Sequence, residues 1–121
     1  MILVDTSVWI DHLRSPSAPL VAALEEGDVL THPFVIGELA CGNIRNRAEI
    51  LQLLEDLPQA REATHAEVMA MVERRRLMGI GIGYVDAHLL AATALTPSAS
   101  LLTLDRRLAD AARRMGLTAS S

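Results

Sequence analysis

Four strongly apolar runs of this chain each carry one carboxylate. Ile2-Leu3-Val4 ends at Asp5, Phe34-Val35-Ile36-Gly37 leads into Glu38, Tyr84-Val85-Asp86-Ala87-His88-Leu89-Leu90 encloses Asp86, and Leu101-Leu102-Thr103-Leu104 ends at Asp105. A fold that buries these runs must bring the acids to its interior or to the rim of it. An ionised carboxylate there is costly unless it is paired, hydrogen-bonded or bound to a metal. The chain contains no Lys, and an Arg adjoins only Asp105. The four acids therefore point to one shared cation.

The runs also set the architecture. Met1 to Val4 is apolar without alternation and too short for a helix, the pattern of a strand buried on both faces. Val29-Leu30-Thr31 and Ser100 to Leu104 read as two more strands. Helical spacing and capping residues predict helices from Thr6 or Ser7 to about Leu13, from Ser17 to Gly27, from Pro33 to about Gly42 and from Arg47 to Leu57. The capping-box pattern Thr64-His65-Ala66-Glu67 starts another that runs to about Met78. Two more are expected, over Tyr84 to Leu95 and after Asp105. Residues 61–64 are compatible with a further short strand. Strands separated by helices predict an α/β fold with a central parallel sheet flanked by helices, and ligands in such sheets bind at the carboxyl edge of the strands. Asp5 and Asp105 fall at that edge, while Glu38 lies inside a helix, flanked by apolar residues on both sides with no exposed face to explain it.

Length and composition bound the rest. The 121 residues, 50% of them hydrophobic and 21% charged, suit one domain over residues 1–121 with its own core. The lone Cys41 cannot form an intrachain disulfide, lies in an apolar run and reads as a small buried packing residue, which fits a reducing, cytoplasmic setting. Residues 87–104 carry no acid, Lys or Arg, a stretch of membrane-span length. The Thr, Pro and Ser residues within it argue instead for a buried helix, a turn and a buried strand, so no membrane segment is expected, and the N-terminus shows no secretory signal.

A net charge of −4 speaks against a nucleic-acid partner. However, all 11 basic residues are Arg, and seven of them cluster as Arg74-Arg75-Arg76, Arg106-Arg107 and Arg113-Arg114. Guanidinium groups suit phosphate recognition. Arg106 and Arg107 stand at a helix N-terminus, where a cation opposes the macrodipole and a nearby phosphate would offset it. They are the candidate phosphate contacts.

Metal-assisted phosphoryl transfer is the chemistry that needs such acids. Mg²⁺ takes hard oxygen ligands, and converging carboxylates can hold one ion or two about 4 Å apart, activating water on one side and stabilising the leaving oxygen on the other. Thr6, Ser7 and Thr103 flank the acids and can orient them or a metal-bound water. Simpler roles compete: Asp5, Asp86 and Asp105 all occupy positions where an acid caps a helix. Gly79-Ile80-Gly81-Ile82-Gly83 lacks dinucleotide-binding spacing and reads as a flexible or closely packed loop. His88 points away from Asp86 on a helix. Met69, Met71 and Met78 read as core or subunit contacts. Two other functions share strand-end acids: a receiver-like phosphoacceptor, which wants a lysine this chain lacks, and a catalytically silent binding domain.

Together Val4-Asp5-Thr6-Ser7, Gly37-Glu38-Leu39, Gly83-Tyr84-Val85-Asp86-Ala87-His88-Leu89-Leu90-Ala91 and Leu102-Thr103-Leu104-Asp105-Arg106-Arg107-Leu108 resemble the PIN-domain family, and within it the VapC-type toxins of bacterial type II toxin–antitoxin systems. The match covers essentially the whole chain. The resemblance implies a three-layer PIN-like fold and a Mg²⁺-dependent endoribonuclease, with Mn²⁺ as a substitute. It assigns Asp5, Glu38 and Asp86 to the core acidic triad and Asp105 to a fourth, more variable acid, with the hydroxyls of Thr6 and Thr103 beside the first and fourth. It further implies a cytoplasmic homodimer silenced by a cognate antitoxin whose tail enters the active-site groove.

Overall fold

Leu3 and Val4 have no exposed surface, because the strand that carries them is the middle of the sheet. In the computed structural model, which describes residues 1–119, β1 (Ile2–Val4) lies between β2 (Val29–Leu30) and β3 (Ser100–Leu102). Both pairings are parallel: Leu3 stands opposite Leu30 on one side and Leu101 on the other. Single-residue parallel bridges extend the sheet outward, Gln59 beside Thr31 and Thr118 beside Leu101.

The helices are α1 (Thr6–Arg14), α2 (Ala18–Glu25), α3 (Pro33–Cys41), α4 (Arg47–Asp56), α5 (His65–Arg75), α6 (Tyr84–Leu95) and α7 (Arg106–Arg114). The mixed α/β architecture with a parallel sheet is thus as the sequence predicts. Caps account for several boundaries. Ser17 accepts from Leu20 N–H, and Thr64 with Glu67 forms the expected capping box. Helix α6 is the most deeply set, with Ala87 through Thr93 all buried. Thr93, inside this apolar environment, donates its hydroxyl to Leu89 O at 2.7 Å, so no polar atom is stranded there.

Three expectations need correction. Residues 61–64 form no strand. The pairing falls earlier, where Thr31 N–H donates to Pro58 O and Ala60 N–H donates to Thr31 O, both at 2.9 Å. Helix α5 stops at Arg75 rather than near Met78, because Arg76 turns into the left-handed region at φ +53°. Cys41 is exposed, not buried. On α3 the buried arc holds Val35, Ile36 and Leu39, and at about 100° per residue Cys41 lies on the opposite side. Of Met69, Met71 and Met78, Met71 is in the core, while the other two are exposed.

His32 caps α3 in an unusual way: its Nδ1 accepts Phe34 N–H at 3.0 Å. The ring is buried, and its Nε2 has no hydrogen-bond partner among the described residues. Burial holds its pKa below the usual 6.5, with Glu62 pulling it upward and His88 pushing it further down. The folded state therefore keeps His32 neutral while the unfolded chain takes up a proton near 6.5. Stability is full above that pH and falls as pH drops toward the depressed folded value. His88, also buried and also depressed, acts with the same sign. Melting temperatures measured from pH 8 to pH 5 should decline, and His32→Asn, which can cap without titrating, should flatten the decline. An equally steep decline in that variant would contradict the assignment.

Candidate active site

The site is built from the turn where each outer element leaves the carboxyl edge of the sheet. Asp5, the residue after β1, is buried. Its Oδ2 accepts two hydroxyl protons, from Ser7 at 2.7 Å and from Thr103 at 2.8 Å. Each hydroxyl is fixed from behind by a backbone amide: Leu104 N–H donates to Ser7 and Asp105 N–H donates to Thr103, both at 3.0 Å. The two hydroxyls also lie 3.3 Å from each other, but both are closer to the Asp5 carboxylate. Strand β3 ends at Leu102, so Thr103 is already in the turn that lets its hydroxyl reach across. Oδ1 of Asp5 has no hydrogen-bond partner among the described residues, which leaves one carboxylate oxygen held in place and free to bind.

The other three acids are held in different ways. Asp86, half-buried in the first turn of α6, accepts Gly83 N–H at 3.1 Å through Oδ2. Asp105 is exposed and caps α7, with Oδ1 accepting Arg107 N–H at 2.9 Å and Leu108 N–H at 3.1 Å. The helix-cap role that the sequence allows for Asp105 is therefore real. Glu38 departs from the sequence reading. It is exposed, and its Oε1 accepts the Thr6 hydroxyl at 2.7 Å, because flanking apolar residues on a helix do not share its face. Thr6 thus ties α3 to the residue after Asp5.

Asp86 feels the charge of two of the other acids. Burial raises the Asp86 pKa above its ordinary 3.8; Gly83 N–H works against this, and the negative charges of Asp5 and Asp105 add to it. Among the described residues none of the four acids is in an ion pair; the two present join the N-terminal amine to Asp28 and Arg113 to Asp110. The negative charge at this edge is thus unneutralised by protein. As the side chains stand, no three His, Cys, Asp or Glu among the described residues close around one point. The donor chemistry nonetheless fits a hard cation: the offered groups are carboxylate and hydroxyl oxygens, Asp5 presents a free oxygen, and mutual repulsion awaits a positive charge.

Other groups rim the site. Arg107 lies against the glycine loop before α6: a Cβ at Gly81, whose φ is +87°, would stand 2.5 Å from Arg107 Cδ and 2.7 Å from Nη1. The glycine there permits both the backbone conformation and the close approach, so the loop is closely packed rather than a nucleotide cradle. An aromatic row, not evident from the sequence, crosses α3, α6 and α5. His32 meets Phe34, Phe34 meets His88, His88 meets Tyr84 and Tyr84 meets His65, at centroid distances from 4.6 to 5.6 Å. Only the four-residue spacing of Tyr84 and His88 signals any part of it. His88 is accordingly committed to packing. Beside Glu38 a groove of about 650 Å³ opens between α1, α3 and α4, lined by Ile10, Leu13 and Arg45 among others.

A parallel sheet whose carboxyl edge gathers strand-end and helix-start acids defines a known class, and the chain belongs to the PIN-domain family, whose pattern matches residues 2–114. The resemblance read from its motifs holds. Among curated proteins, it is 50% identical over 117 residues to Ribonuclease VapC32 of Mycobacterium tuberculosis, in strain CDC 1551 / Oshkosh and in strain ATCC 25618 / H37Rv. The alignment covers 97% of this chain and 94% of that relative. No helix among the described residues is long and apolar enough to cross a membrane.

Proposed function

We propose that this protein is a divalent-metal-dependent endoribonuclease, the toxin of a type II toxin–antitoxin pair, working as one PIN-like domain over residues 1–121. The observation that carries the reading is the unneutralised group of Asp5, Asp86 and Asp105 at the sheet edge, in a chain half identical to a ribonuclease. Mg²⁺, with Mn²⁺ as a substitute, supplies when bound the lowered water pKa and the positive charge that phosphodiester hydrolysis requires.

The chain's own residues prepare that chemistry. Ser7 and Thr103 lock the Asp5 carboxylate through Oδ2, and its Oδ1 would be the oxygen offered to the cation. Asp86 would be the second ligand, held by its bond to Gly83 N–H. Glu38, steadied by Thr6, and the unused Oδ2 of Asp105 complete the acidic wall. Arg106 and Arg107, beside Asp105, contact substrate phosphate and keep the scissile bond against the acids. A cytoplasmic homodimer held in check by a cognate antitoxin protein follows from the same reading, since an unrestrained ribonuclease would harm the cell that makes it.

The test is cleavage of a labelled RNA by metal-free protein to which metal is restored. Chelation should abolish cleavage, Mg²⁺ or Mn²⁺ should restore it, and Ca²⁺, larger and satisfied by a looser shell of oxygens, should restore far less. Cleavage that persists at full rate in excess chelator would end the proposal.

A further inference from the structure

Arginine clusters that are distant in sequence come together along α7. At its C-terminal end, Arg114 Nη2 donates to Arg75 O at 3.1 Å, joining α7 to the last turn of α5. At its N-terminal end, Arg107 lies on Gly81. The segment from Arg76 to Gly83 therefore runs beside α7 from one end to the other. Arg107 and Arg114 are seven residues apart, which on an α-helix places them on one face about 10 Å apart along the axis. Arg74, Arg75 and Arg76 follow at the end of α5, which the bond from Arg114 to Arg75 holds against α7; all of these arginines are exposed. Among the described residues none of them is in an ion pair, whereas Arg113 is held by Asp110 at 2.7 Å and stands apart from the stripe. A protein of net charge −4 thus concentrates guanidinium groups free of ion pairs along α7 and the adjoining end of α5, beginning beside Asp105.

We propose that the α7 face carrying Arg107 and Arg114, together with Arg75 and Arg76, is a track that binds the phosphate backbone of single-stranded RNA and feeds it into the acidic site. This rests on the ribonuclease reading and adds a binding surface outside the reaction centre. The order of charges decides the occupant. A polyanion drawn along the stripe meets Arg107 next to Asp105, where a cation at a helix N-terminus otherwise opposes the macrodipole. A phosphodiester backbone presents one anionic group per nucleotide to successive arginines, and guanidinium groups bind such oxygens through paired donors. Contacts of this kind are sequence-tolerant and lower KM without changing the chemical step.

The test separates the track from the reaction. In an Asp5→Asn background, binding of a fluorescein-labelled single-stranded RNA is measured by anisotropy between about 25 and 200 mM salt, over which the Debye length falls from roughly 20 to roughly 7 Å. Each lost phosphate contact flattens the plot of log affinity against log salt by about 0.7. Arg75→Gln with Arg114→Gln should therefore flatten it by about 1.4 and weaken low-salt binding roughly tenfold or more, while the corresponding Lys variants, which keep the charge, should retain the slope. In an otherwise wild-type chain the same Gln pair should raise KM for a long RNA with kcat unchanged, and leave cleavage of a dinucleotide, whose single phosphate is the one cleaved, unaffected. Melting temperatures of the Gln and Lys variants should agree, showing that any loss is of charge rather than fold. An unchanged salt slope overturns the track, and so does an unchanged slope accompanied by weaker capture of a co-expressed antitoxin, which would make the stripe a protein-binding surface. A wild-type chain that cleaves no RNA defeats the ribonuclease reading instead, whatever the slopes show.

Discussion

Asp5→Asn should leave a folded protein that cleaves RNA at least about a hundredfold more slowly than the wild type, since loss of a ligand should cost no less than the 10- to 100-fold typical of its supporting groups. The hydrogen bonds of the site explain why the fold survives. Ser7 and Thr103 both donate to one oxygen, Oδ2. An asparagine carbonyl oxygen in that place accepts both protons, and the amide nitrogen then occupies the position of Oδ1. The substitution replaces the one oxygen free to bind a cation with a neutral donor and changes little else. Multiple-turnover cleavage of a labelled RNA, with circular dichroism of the same samples, checks both halves. A variant that folds and still cuts at the wild-type rate removes Asp5 from the site.

Leu89→Ala should lower unfolding free energy by about 3 kcal/mol, within the range of about 2–5 kcal/mol for truncating a buried leucine. Leu89 has no exposed surface and lies within the seven consecutive buried residues of α6. Truncation there leaves a void that the surrounding core closes only in part. Urea denaturation should show a lower midpoint with an unchanged slope. Leu53→Ala, on α4 at 56% exposure, is the contrasting variant and should stay within about 0.5 kcal/mol of wild type. Equal losses in the two would mean that α6 is not the centre of the core.

The parts of this fold that are legible in sequence are those decided locally. The strand end at Asp5, the start of α7 after Asp105, the Thr64 capping box and both ends of α6 follow from short-range patterns and emerge where the residues place them, whereas the last strand stops at Leu102, two residues short of the Leu104 that its apolar run suggests. Glu38 shows where local reading fails. Apolar residues flank it on both sides, yet Val35, Ile36 and Leu39 occupy one arc of α3 and leave Glu38 at its margin. The same arc exposes Cys41. A four-residue apolar stretch is too short to reveal which arc a helix buries. The aromatic row and the meeting of Arg75 with Arg114 depend on how α3, α5, α6 and α7 pack, and no pattern within one helix records that. The hydroxyls beside the acids are visible as residues, but their convergence on a single oxygen is a property of the β1–β3 register.

That convergence also has a consequence in time. Ser7 and Thr103, separated by 96 residues, must both be in place before Asp5 is oriented. During synthesis Asp5 and Ser7 emerge long before Thr103, the hydroxyl from the turn after the third strand. A chain made only as far as α6 therefore carries Asp5, Glu38 and Asp86 without the second hydroxyl that fixes the Asp5 carboxylate.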